Sequence, residues 1–142
     1  MLDQAVLIAA QAHLGQKDKM DRPYILHPLR MMLRFQSETE MVVAVLHDVV
    51  EDSPDWSLER LRQEGFSEEI VEAIDHLTRR EDESYEAFTE RAGQNRLARK
   101  VKLADLEDNM DIRRYPAELS QKDKDRLARY HKAWLRLSGD KA

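Results

Sequence analysis

Cysteine is absent from the 142-residue chain, and glycine occurs only at Gly15, Gly65, Gly93 and Gly139. Without cysteine there is no disulfide, no thiolate nucleophile, no iron–sulfur cluster and no Cys-type zinc site. Isolated glycines exclude a Walker loop and a dinucleotide fingerprint, which need several glycines in one turn so that backbone amides can approach phosphates. Long hydrophobic runs are missing too. The longest, Met41 to Leu46, is far short of the ~20 residues that span a bilayer. Near the N-terminus, Asp3 and Gln4 stand where a secretory leader has Lys or Arg, and Gln11 interrupts the apolar stretch. The expectation is a cytoplasmic protein with no membrane partner.

What is present is charge and helix formers. A hydrophobic fraction of 42% and a charged fraction of 36% describe a globular chain, and the length fits one domain over 1–142. The net charge of −5 is uneven: residues 1–50 carry −1, residues 51–95 carry −9 and residues 96–142 carry +5. The acidic middle argues against nonspecific nucleic-acid binding, which needs a broad basic face. The cluster Arg96, Arg99, Lys100 and Lys102 reads as a solvated helix face or as a grip on a small anion.

The pattern predicts helices nearly throughout, hence an all-α class. Leu2 to His13 is one, stopped by Gly15, and Pro28 suits the start of another through Phe35. Glu38 to about Val50 is apolar nearly all round and reads as a central buried helix. Trp56-Ser57 with Leu61, and Phe66-Ser67 with Val71, each place an apolar residue, a Ser cap and an apolar residue in the spacing of a hydrophobic staple. Ser84 and Asn95 cap two further helices, ending near Gly93 and Met110. A last helix, about 120–138, repeats Leu127, Tyr130, Trp134 and Leu137 at helical spacing. Its aromatics can bury against their own core or against a second copy of the chain, so a homo-oligomer stays open.

The segment Val45-Leu46-His47-Asp48-Val49-Val50-Glu51-Asp52 carries the chemistry. On a continuous helix, His47 and Glu51 stack, as do Asp48 and Asp52. Carboxylates and an imidazole crowded among valines repel and are costly to bury, and a divalent cation is the usual compensation. The plainer alternative is a helix end fraying into solvent. Farther on, Lys102, Asp105 and Asn109 share a helix face, whereas Glu107 and Asp108 read as an acidic outer face. His27, before Pro28, carries little by itself.

Taken in order, Ala12-His13-x-Gly15-Gln16, Pro23-Tyr24-Ile25-x-His27-Pro28, His47-Asp48-x-x-Glu51-Asp52 and Val101-Lys102-Leu103-Ala104-Asp105-x-x-x-Asn109-Met110 resemble the HD-superfamily phosphohydrolases. More narrowly, they resemble the hydrolase domain of RelA/SpoT homologues and the stand-alone small alarmone hydrolases, over roughly residues 1–115. The resemblance implies a compact HD-type helical bundle with one divalent metal, usually Mn²⁺. It also implies removal of the 3′-pyrophosphate from guanosine tetra- or pentaphosphate, giving GDP or GTP and pyrophosphate. By matching position, His27, His47, Asp48 and Asp105 would be metal ligands, and Glu51 and Asp52 would orient and deprotonate the attacking water. Asn109 would contact the ribose or 3′-phosphate, Lys17, Lys19 and Lys102 would neutralise phosphate, and Tyr24 would flank the nucleotide. His13 would be structural.

Two segments depart from that pattern. Between Gln16 and Pro23 the family has an Arg-x-Ser-Gly-type loop, where this chain has Lys17-Asp18-Lys19-Met20-Asp21-Arg22. After Asp105 the family commonly has Arg-Leu-His, where this chain has Leu106-Glu107-Asp108. The alternatives this leaves are a related hydrolase of another nucleotide (an adenosine alarmone, a dNTP or a nucleoside monophosphate) and a non-catalytic, metal-containing nucleotide sensor.

Overall fold

The computed structural model describes residues 1–139. Helices α1 (Leu2–Ala12), α2 (Leu26–Met32), α3 (Glu38–Leu46), α4 (Val49–Asp52) and α5 (Leu58–Gln63) are followed by α6 (Glu68–His76), α7 (Tyr85–Gly93) and α8 (Arg96–Asn109). A 3-10 turn (Ile112–Arg114) then leads to α9 (Gln121–Gly139). Among the described residues, the only extended pairing is an isolated antiparallel bridge between Lys17 and Pro23.

The caps form where the sequence places them. Ser57, Ser67, Ser84 and Asn95 each accept from the backbone N–H three residues on, which is worth ~1 kcal/mol per helix. Trp56, Leu61, Phe66 and Val71 are all buried, as the staples require. Between them, Gly65 at φ +99° lets Phe66 N donate to Leu61 O and Gly65 N donate to Arg62 O, a Schellman closure of α5.

Helix α3 is the hub. Val42 through Leu46 are fully buried, and α1, α2, α6 and α8 pack around them; each such Val or Leu contributes about 1.5–3 kcal/mol of burial. A smaller cluster of Leu106, Ala133 and Leu137, flanked by Tyr130 and Trp134, fastens α9 to α8. The two aromatics therefore pack within their own chain.

Two elements differ from expectation. The helix expected to run to about Val50 stops at Leu46, and α4 starts afresh at Val49. The His47 side chain accounts for the break: its Nδ1 takes the Ala44 carbonyl at 2.7 Å, the acceptor that the Asp48 N–H would use in an unbroken helix. Helix α2 also begins earlier than expected, at Leu26, with Pro28 inside its first turn, where a missing N–H costs nothing.

Candidate active site

Helix α2, the turn between α3 and α4, and helix α8 bring His27, His47, Asp48 and Asp105 to one cleft. His27, His47 and Asp48 each offer a donor atom, all within 4.8 Å of one another. Asp105 Oδ1 lies beside this group, 2.9 Å from His27 Nε2 and 3.7 Å from His47 Nε2.

Hydrogen bonding assigns the tautomers. Since the Ala44 carbonyl only accepts, His47 Nδ1 is the donor, and the neutral ring then keeps a lone pair at Nε2. That atom is buried and has no hydrogen-bond partner, with Asp48 Oδ2 at 3.1 Å. A lone pair facing carboxylates is repulsive unless a proton or a cation lies between them. His27 repeats the arrangement: Nδ1 donates to Asp108 Oδ2 at 2.6 Å, and Nε2 turns to Asp105. A ring held by Nδ1–H on an oxygen acceptor with Nε2 turned inward is the usual posture of a metal-ligating histidine. Two imidazoles and two carboxylates without sulfur fit Mn²⁺, Fe²⁺ or Zn²⁺.

The carboxylates are held ionised. Burial pushes Asp105 up, but Lys102, His27 and His47 outweigh it and leave the carboxyl well below its ordinary range. Burial likewise opposes ionisation of Asp48, and His47 overcomes it, bringing Asp48 to about 2. Lys102 Nζ donates to Asp105 Oδ2 at 3.0 Å, and Asn109 Nδ2 donates to Asp105 Oδ1 at 2.9 Å. Both residues line the cleft but are engaged with Asp105. The Tyr24 hydroxyl, also in the cleft, donates to Asp48.

Glu51 and Asp52 sit apart from each other. Glu51 lines the cleft, and its Oε1 accepts from Arg79 N at 2.9 Å. Asp52 faces the neighbouring depression with Ser53 and Trp56, and accepts from Gln16 Nε2 at 3.0 Å. Desolvation raises both carboxyls, Glu51 despite the Arg79 amide and Asp52 despite Gln16, with Asp48 adding to each. Raised carboxyls are what a proton-accepting role near neutral pH calls for. His13 is buried, its Nδ1 2.8 Å from Gln16 Oε1, so it supports the residue that holds Asp52.

Lys17 and Lys19 line the cleft from a tight loop. Asp18 Oδ1 accepts from Met20 N and Arg22 N, and Asp21 takes φ +60°, a conformation that Asp tolerates better than most residues. Lys19 donates to the Tyr130 hydroxyl at 2.5 Å; desolvation and the charge of Arg126 lower its pKa to about 8. Arg79, Tyr85, Phe88, Arg114, Tyr115 and Tyr130 also line the cleft and are absent from the sequence-based site. They come from elements far apart in the chain, and no local pattern flags them. Asp108 corrects the expectation of an acidic outer face: it is 6% exposed. Glu107 does point outward, to Arg34 and Trp134.

No protein-family model matches the chain. It is 37% identical over 83 residues, 56% of its length, to a guanosine-3′,5′-bis(diphosphate) 3′-pyrophosphohydrolase of Borreliella burgdorferi. Over 138 residues, 88% of its length, it is 30% identical to a GTP pyrophosphokinase of Streptomyces coelicolor. It is 36% identical over 83 residues, 54% of its length, to the bifunctional (p)ppGpp synthase/hydrolase SpoT of Escherichia coli. The matches span 12–16% of those much longer relatives. In fold, it superposes with a TM-score of 0.76 and 24% identity on a solved metazoan SpoT orthologue described as hydrolysing ppGpp, covering 96% of this chain and 84% of that one. The all-helical fold is thus similar to that of the solved SpoT orthologue, and the sequence is similar to a stretch of the RelA/SpoT-type relatives.

Proposed function

We propose that the chain is a metal-dependent hydrolase that removes the 3′-pyrophosphate of a (p)ppGpp-like alarmone, giving GDP or GTP and pyrophosphate. The observation that carries this reading is the His27–His47–Asp48 cluster, with the buried Nε2 of His47 unpartnered and Asp105 beside it. In the proposal, His27, His47, Asp48 and Asp105 hold one divalent cation, Mn²⁺ being the choice the resemblance implies. When bound, the cation supplies Lewis acidity, lowering the pKa of a water and polarising a phosphoryl oxygen.

The chain's own groups do the rest. Glu51, on the cleft wall, accepts the proton of the attacking water, and the Arg79 amide fixes its carboxylate. Asp52, held by Gln16, lies one residue along and adds negative field rather than direct contact in this arrangement. Lys17, Lys19, Arg79 and Arg114 bring positive charge to the cleft, which suits a substrate with several phosphates. Lys102 keeps Asp105 ionised, a role that precedes any contact with phosphate. Tyr24 and Asn109 orient Asp48 and Asp105 and border the space a nucleoside would fill.

The test is a nucleotide panel assayed with Mn²⁺, with released pyrophosphate as the readout. Pyrophosphate from ppGpp supports the reading. Orthophosphate, or turnover only of an adenosine alarmone, a dNTP or a monophosphate, assigns the site to another nucleotide. Nucleotide binding without turnover makes the chain a sensor.

A further inference from the structure

We propose that Asp108 is a positioning residue for the metal cluster. It fixes His27 with the proton on Nδ1, so that Nε2 presents its lone pair to the cation. The proposal rests on the metal site proposed above, and it concerns a residue outside the four expected ligands.

On α8, Asp108 lies three residues beyond Asp105, so both project toward α2. Its Oδ2 is 2.6 Å from His27 Nδ1. Arg30, one turn after His27 on α2, closes a fork on the same carboxylate, with Nε 2.8 Å from Oδ1 and Nη2 2.9 Å from Oδ2. Arg114 Nη2 donates to the Asp108 carbonyl at 2.8 Å and lies 3.7 Å from Oδ2.

A buried carboxylate flanked by two guanidinium groups stays ionised and can only accept. Its neighbour on His27 must therefore be the donor, which leaves Nε2 turned to Asp105 Oδ1 at 2.9 Å, where either a proton or a cation lies between them. His47 obtains the same orientation from a neutral backbone carbonyl. A full negative charge on Nδ1–H raises the basicity of His27 Nε2 as a ligand. The resembled family commonly has histidine at this position, so the carboxylate is a feature of this chain. Arg30 fits as its counter-charge: it reaches no other carboxylate among the described contacts.

The competing account is a plain ion pair that ties α8 to α2. Calorimetric titration of Mn²⁺ into metal-stripped protein separates the two, using the native chain and the variants Asp108→Asn, Arg30→Met and His27→Ala. Positioning predicts ~10–100-fold weaker Mn²⁺ binding in D108N and within about three-fold of native in R30M, even where both variants melt lower. Equal loss of affinity in D108N and R30M, or native affinity in D108N, overturns the proposal and leaves the metal reading standing. Failure of the native chain to bind Mn²⁺ at all overturns both. Should D108N not fold, ¹⁵N imidazole spectra of the native protein loaded with diamagnetic Zn²⁺ decide. The expected result is a His27 proton on Nδ1 and a metal-shifted Nε2; a proton on Nε2 overturns the assignment.

Discussion

Asp105 is held on both oxygens: His27 and Asn109 on Oδ1, Lys102 on Oδ2. The Lys102 ammonium is itself buried, 4.8 Å from the Phe88 ring centre and 5.9 Å from that of Tyr85. Removing one member of a buried pair strands the other, at a cost of about 3–5 kcal/mol. Lys102→Met is therefore expected to lower the urea midpoint by a corresponding amount, and saturating Mn²⁺ is expected to recover part of it by supplying the missing positive charge beside Asp105. Equal destabilisation with and without Mn²⁺ would count against a cation at this point. Glu51→Gln isolates the chemistry instead. A glutamine Oε1 still accepts from the Arg79 amide, so the wall keeps its shape while the proposed proton acceptor is gone. A fall in kcat of about 10²–10⁴-fold is expected, with Mn²⁺ affinity in calorimetry unchanged.

At the scale of elements, what could be read from sequence was what local chemistry determines. Ser67 caps α6 because a hydroxyl followed by Glu68-Glu69 and an apolar stripe satisfies orphan amides wherever the helix packs. Ser67→Ala is expected to cost about 1 kcal/mol in chemical denaturation. The break between α3 and α4 depends on a side chain competing with the backbone for the Ala44 carbonyl, and nothing in the apolar run announces that competition. Asp108 escapes a local reading for a related reason: its buried surroundings come from Arg30 and His27 on another helix. The segment before α7 is another tertiary device. Arg91 donates to both oxygens of Glu83 at 2.7 and 2.8 Å, and to the carbonyls of Asp75 and Thr78. The Arg91 guanidinium holds the Glu83 carboxyl at about 2, against an ordinary 4.5. A depressed carboxyl stabilises the fold fully above its unfolded pKa, and that contribution drains away as pH falls toward the folded value. The native chain is thus expected to exceed Glu83→Gln in stability at pH 6, with the difference shrinking between pH 4.5 and 2. A pH-independent gap in paired denaturation curves would show that the clamp works by shape alone.

Across the whole molecule, the uneven charge acquires a spatial meaning. The acidic middle supplies Glu51, the basic last third supplies Lys102 and Arg114, and both meet the His27 and Lys19 of the first third at one cleft. A chain that cannot cradle phosphate with glycine amides instead gathers side-chain cations around a cluster of imidazoles and carboxylates. That arrangement makes the cluster a cost in the absence of a cation, because Asp48 and Asp105 face the Nε2 lone pair of His47 across 3.1 and 3.7 Å. Protons relieve it in the metal-free state: burial disfavours charged His47, but Asp48 and Asp105 prevail and raise its pKa well above the ordinary value. Cation and proton thus compete for the same nitrogen. The cluster also joins α2, the turn after α3, and α8, elements that build the main core, so the proposed ligation would be coupled to global unfolding and not to a loop. At a free Mn²⁺ concentration of 100 times Kd, linkage adds about 2.7 kcal/mol, or roughly 8 °C in Tm for a chain of this size. The native protein is expected to gain that shift on Mn²⁺ addition and lose it with a chelator in a calorimetric scan. His47→Ala, which removes the facing lone pair, is expected to melt at one temperature in both conditions. A native chain indifferent to metal, or a His47→Ala variant that still gains the full shift, would place the cation elsewhere or nowhere in this fold.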